Sequence, residues 1–65
     1  MNVGENIKYL RLERNLSQQK LANEIGVSQK AIDYWERGIN EPKASYIVLL
    51  ADFFGVTCDF LLGRD

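Results

Sequence analysis

No histidine occurs in the 65 residues, and there is a single cysteine, Cys58. A lone thiol closes no intrachain disulfide, and without histidine or a second thiol no structural zinc site can be assembled. That pattern suits a reducing, cytoplasmic setting. Long apolar runs are also missing: the longest, Tyr46 to Ala51, falls far short of a bilayer span, and Glu5 interrupts the N-terminus before a signal sequence could form. The expectation is a soluble intracellular protein with no membrane partner. The glycines at 4, 26, 38, 55 and 63 never take the G-x-G or P-loop spacing that cradles phosphate, and no acid pair stands beside a candidate nucleophile. Neither catalysis nor a metal, cofactor or small-molecule ligand is expected. An excess of positive charge is lacking too. Eight Lys and Arg against nine Asp and Glu give a net charge of −1, which weighs against a generic nucleic-acid binder.

What is present is helical punctuation. A chain of this length that is 46% apolar is near the lower limit for one unstapled core, so residues 1–65 form a single domain. Apolar residues recur at three and four rather than alternating, which predicts an all-α fold of five helices. The first spans roughly residues 2–14. Asn2 and Glu5 have capping-box spacing, Val3, Ile7 and Leu10 lie on one stripe, and Asn15 can close the helix in the left-handed conformation. The other four each end at a glycine: Gly26, Gly38, Gly55 and Gly63. Ser17, Ser28 and Thr57 are N-cap types, flanked by the apolar pairs Leu16 with Leu21, Val27 with Ile32, and Val56 with Leu61, which have the spacing of hydrophobic staples. The fourth helix, from Pro42 or Lys43 to Phe54, has no comparable cap.

The stretch SQQKLANEIGVSQKAIDYWERG, residues 17–38, holds two short helices, 18–25 and 29–37, across one glycine. Leu21, Ala22 and Ile25 share an inner face of the first, and Ala31, Ile32 and Trp35 of the second, with Val27 just before it. The opposite side of the second carries Gln29, Lys30, Asp33, Tyr34 and Arg37. This stretch resembles the helix-turn-helix of the phage repressor and Cro family, also called Xre-like regulators. Matching residues run from Ile7, Leu10 and Arg11 through Gln18, Leu21, Ala22, Gly26, Val27, Ile32 and Trp35. They continue through Glu36-Arg37-Gly38, Pro42, Ile47, Leu50 and Ala51 to the closing Phe60-Leu61-Leu62-Gly63.

The resemblance implies a compact five-helix domain that places its third helix, about residues 28–37, in the DNA major groove. Ser28, Gln29, Lys30, Asp33 and Tyr34 would then face base edges. Gln pairs with adenine, Lys with guanine O6 or N7, and Tyr with a thymine methyl or a phosphate. Asp33 either accepts from a cytosine amine or keeps phosphate away from that edge, and we favour the second. Ser17, Gln18, Arg37, Asn40 and Lys43 match positions where the family touches phosphate. Glu41 stands where related sequences often carry a basic residue. The resemblance also implies a largely buried ion pair between Arg11 and Glu36, against the alternative of an exposed Arg11 on phosphate. On a helix outside this family, such polar residues would simply be a solvated face.

Charge by position fits the resemblance weakly. Residues 44–65 carry three acids against Arg64, leaving seven positive and six negative charges in the remainder, so each monomer makes few ionic phosphate contacts. A homodimer on a palindromic operator would double them. In the fourth helix, Ala44, Ile47, Leu50, Ala51 and Phe54 form the core face, while Tyr46, Leu49 and Phe53 form a second stripe. With Phe60, these three are candidates for a dimer interface, unless the fifth helix folds back over them. The expected function is a DNA-binding transcriptional regulator, a repressor by preference. The rival is a protein-interaction module of the same fold, antitoxin-like or an adaptor.

Overall fold

The Asn2 carboxamide oxygen accepts from the backbone N–H of Glu5 at 2.9 Å, and the Glu5 carboxylate accepts from the backbone N–H of Asn2 at 3.1 Å. This reciprocal box opens α1 (Val3–Glu13) in the computed structural model, which describes residues 2–64. Four helices follow: α2 (Gln18–Ile25), α3 (Gln29–Arg37), α4 (Ala44–Phe54) and α5 (Cys58–Leu62). The fold is all-α, as the hydrophobic spacing predicts, with no strand among the described residues. Asp65, counted above among the acidic residues, lies outside them.

Side-chain oxygens of Ser17, Ser28 and Thr57 cap α2, α3 and α5 by accepting from the N–H groups of Lys20, Ala31 and Phe60. α4 begins with Lys43 as its N-cap, without a side-chain cap bond, because lysine offers no acceptor. Pro42 stays outside the helix and is buried.

All five helices close alike. The residue after a left-handed position donates its N–H to the carbonyl five positions back: Leu16 to Arg11, Val27 to Ala22, Ile39 to Tyr34, Val56 to Ala51 and Arg64 to Asp59. Asn15, at φ 57°, fills the left-handed position after α1, and glycine fills the others. The glycine that matters most is Gly26, at φ 87°, because it turns the chain from α2 into α3 without a Cβ penalty.

Ile7, Leu21, Ala22, Ile32, Leu50 and Leu61 are wholly removed from solvent and join Trp35 and Phe54 in one core. Leu16, Val27 and Val56, which precede the capping residues, lie half-buried against it. Three long-range features seat α1. Gly4 lies against the Trp35 carbonyl of α3. Asn6, itself buried, donates from Nδ2 to the carbonyls of Phe60 and Leu61 at 3.2 and 3.1 Å. Arg14 donates to the carbonyls of Phe53 and Phe54 at the end of α4, with its guanidinium 5.1 Å from the Phe54 ring centroid. Cations are favoured at a helix C-terminus, so this contact also suits the α4 dipole.

α4 departs from expectation on two counts. Ala44, assigned to the core face, is exposed. Of the second stripe, Tyr46 and Phe53 are half-buried: the Tyr46 ring centroid is 5.6 Å from that of Trp35, and Phe53 packs edge-on to Phe54 at 5.2 Å. Phe60 is half-buried against the core as well. Tyr46 is drawn under cover by Trp35 of α3 and Phe53 by its own neighbour Phe54, on a helix that also packs on α2 and α5. Leu49 remains open to solvent, together with Val48 and with Leu62 of α5.

Candidate nucleic-acid interface

The serine caps fix where α2 and α3 begin, and the buried faces of the two helices fix how they cross. The outer surface of α3 is then the side away from Ile32 and Trp35. Gln29, Lys30 and Arg37 are exposed there, and Asp33 and Tyr34 are half-buried between them. The Lys30 ammonium lies 5.5 Å and the Arg37 guanidinium 5.7 Å from the Tyr34 ring centroid, so two cations flank one aromatic ring.

Behind this face runs a hydrogen-bonded network rooted in the core. Arg11 Nε donates to Glu36 Oε2 at 2.6 Å, NH2 to Glu36 Oε1 at 3.0 Å, and NH1 to the Leu16 carbonyl at 2.8 Å. The two side chains are only 10% and 3% exposed, so the structure brings Arg11 and Glu36 together under cover. Hydrogen bonding to Glu36 holds the Arg11 guanidinium above its ordinary pKa, against the opposing effect of burial.

Gln18 connects that pair to the recognition face. Its Nε2 donates to Glu36 Oε1 at 3.1 Å and to Asp33 Oδ1 at a longer 3.4 Å. Ionised carboxylates only accept, so both N–H bonds of Gln18 turn toward them and its Oε1 turns outward. There it accepts from Gln29 Nε2 at 3.2 Å. Gln29 is exposed and is left with one N–H and its Oε1 unengaged among the described residues, a donor beside an acceptor. Asp33 Oδ2, in turn, accepts from Arg37 Nε at 3.1 Å and forms an ion pair with NH2, 3.0 Å away.

The other sequence-selected residues are placed as follows. Ser17 and Ser28 use their hydroxyl oxygens as caps, at the starts of α2 and α3. Asn40 is exposed in the segment joining α3 to α4, and Lys43 is exposed at its far end. Gln18 was assigned to phosphate by resemblance, and the linking role of its side chain was not read from the sequence. The available signal was a glutamine opening α2 with two acids, Asp33 and Glu36, one turn apart on α3. Elsewhere, an open apolar groove of about 380 Å³ lies between α4 and α5, lined in part by Val3, Pro42, Ile47, Val48, Cys58 and Leu62. Among the described residues no helix is long and apolar enough to cross a membrane, and no cluster of potential metal ligands occurs.

Comparison with known proteins agrees with this geometry. A family model described as helix-turn-helix matches residues 7–61. The chain belongs to the helix-turn-helix family of phage-repressor type. It is 39% identical over 65 residues to the HTH-type transcriptional activator BcrR of Enterococcus faecalis, covering 100% of this chain and 32% of that protein. It is 35% identical over 65 residues to the HTH-type transcriptional regulator AnsR of Bacillus subtilis, covering 100% of this chain and 55% of that one. The chain thus spans about a third to about a half of these two relatives. Among solved structures it is similar to the c2 repressor of Salmonella phage P22 in complex with a synthetic operator. There the TM-score is 0.92 at 32% identity, covering 100% of this chain and 98% of that one.

Proposed function

We propose that this helix-turn-helix domain binds double-stranded DNA sequence-specifically as the reading head of a transcriptional regulator. α3 lies in the major groove and α2 crosses the backbone. The observation that carries this reading is the outer face of α3. Gln29, oriented through Gln18 by two carboxylates, offers a paired donor and acceptor, the arrangement that matches adenine N7 and N6. Lys30 and Tyr34 stand beside it, and the capped N-termini of α2 and α3 offer free backbone N–H groups for phosphate. The phage P22 relative solved on operator DNA supports the same placement. The relatives named above are transcriptional regulators, which favours binding over catalysis, and a DNA partner together with a single free thiol favours the cytoplasm.

The test is a fluorescence titration, over a range of salt, of duplexes selected from a random pool against unselected duplexes. A preference for the selected sites is expected. Equal binding to both at every salt concentration would favour the interaction-module reading instead.

The finer proposal is a homodimer on a palindromic site, with recognition helices about 34 Å apart. Its contact is drawn from the exposed apolar residues of α4 and α5, Leu49 with Val48 and Leu62, rather than from the half-buried Tyr46, Phe53 and Phe60. Sedimentation with a palindromic duplex is expected to give two chains per site, and Leu49→Glu to weaken that complex. One chain per site, with Leu49→Glu inert, excludes the dimer.

A further inference from the structure

Asp33 is the one acid on the outer face of α3, where a phosphate backbone would repel it. Its side chain is 34% exposed, and neither oxygen is idle: Oδ1 accepts from Gln18, and Oδ2 accepts from Nε of Arg37 and lies 3.0 Å from its NH2 as an ion pair. Both oxygens are thus turned toward neighbours on the protein, which favours a holding role over reading a cytosine amine. Arg37, by contrast, uses only part of its donor set. Five N–H bonds radiate from a guanidinium, and those on NH1 together with the second on NH2 remain free, forming the outer edge of the fork. The Tyr34 ring, 5.7 Å away, limits the swing of the group on one side.

We propose that Asp33 is a positioning residue for DNA recognition, reading no base itself. It holds the Arg37 guanidinium at a fixed angle, with its NH1 and NH2 edge toward the DNA backbone, and at the same time cancels part of its charge. The proposal rests on the DNA-binding reading above. Two consequences separate specific from loose binding. Unspecific complexes draw nearly all their affinity from phosphate contacts, so partial neutralisation of Arg37 weakens them most. A closely docked site gains from a guanidinium already oriented, which offsets the loss of charge there. Asp33 thereby widens the gap between the operator and other DNA, although it touches neither base nor phosphate.

The experiment compares wild type with Asp33→Ala, Asp33→Glu, Arg37→Ala and the double variant Asp33→Ala/Arg37→Ala. Two readouts are used: the NMR signals of the Arg37 Nε–H and Gln18 side-chain amide in free protein, and affinity against salt on selected and unselected duplexes. Asp33→Ala is expected to shift the Arg37 Nε–H signal and to raise affinity for unselected DNA roughly two- to fivefold, the range of an exposed ion pair. It should also steepen the salt slope by up to about 0.9, one further phosphate contact. Selected duplexes gain less, and the preferred base stays the same at every position. Asp33→Glu, which keeps a carboxylate one turn from Arg37, restores the wild-type slope.

The proposal is overturned if Asp33→Ala changes the preferred base at one position, which would make Asp33 a direct reader. It is also overturned if the gain on unselected DNA persists with Arg37 already removed, or if the Arg37 signal does not move. Failure of the underlying reading looks different: wild type then prefers no duplex, while the Arg37 signal still reports whether Asp33 holds it.

Discussion

Gly4 of α1 rests against the main-chain carbonyl of Trp35 in α3, so closely that no Cβ fits between the two backbones. On an open helix face, alanine in place of glycine stabilises by about 0.5–1 kcal/mol. Here the sign reverses, because the methyl group must push α1 off the helix that carries the recognition face. Gly4→Ala is expected to cost about 2–3 kcal/mol. For a domain of this size that lowers the melting temperature by on the order of 10 °C or more. A melting temperature equal to wild type would show that the helices can separate freely.

The Arg11–Glu36 pair gives the second prediction. Arg11→Ala strands the Glu36 carboxylate and removes the donor to the Leu16 carbonyl, at a cost of about 3–5 kcal/mol. The folded-state pKa of Arg11 is raised, so its stabilisation is complete below the unfolded-state pKa and is lost only as pH climbs through the folded value. That window lies above the usual working range. Urea midpoints should therefore keep the same wild-type-to-variant gap between pH 7 and pH 10. A gap that closes by pH 10 would mean that Arg11 is not held by Glu36.

Gln29→Ala is expected to relax the preference at one position per half-site, with roughly 1–3 kcal/mol of discrimination lost there, and Lys30→Ala likewise at a neighbouring position. Arg37→Ala should weaken selected and unselected DNA together. Base-by-base competition titrations distinguish the two patterns, and a uniform loss for Gln29→Ala would remove it from the reading face.

The parts of this domain that were legible in the sequence are those governed by local chemistry. An asparagine, serine or threonine before an apolar periodicity, and a glycine or asparagine after it, placed four helix starts and all five ends, because caps and left-handed closures depend on a few adjacent residues. The outward set Gln29, Lys30, Tyr34 and Arg37 followed from helical phase alone. Contacts between distant segments left no such trace. Gly4, Asn6 and Arg14 carry no local signal of their partners, and Gln18 reads by resemblance as a phosphate ligand. Their roles depend on which backbone or carboxylate the fold brings opposite them. Helical phase likewise could not tell that Ala44 would face solvent, or that Tyr46 would tuck beside Trp35.

The Asn6 carboxamide joins residues 54 and 55 positions apart, whereas the α2–α3 unit is sealed by neighbours in the chain. Loop-closure entropy makes distant clasps late and expensive to form, while a local helical corner assembles early. α5 should therefore dock last and release first. Asn6→Ala removes a donor from the Leu61 carbonyl and from that of Phe60, which keeps the Gly63 N–H, for about 1–3 kcal/mol. Stopped-flow measurements should place that loss almost wholly in faster unfolding, with the refolding rate nearly unchanged. Amide exchange should likewise be fastest along Cys58–Leu62. The reading surface would then outlast its own C-terminal fastening in each partial opening, and the α4–α5 face would come apart before α3 loses its shape.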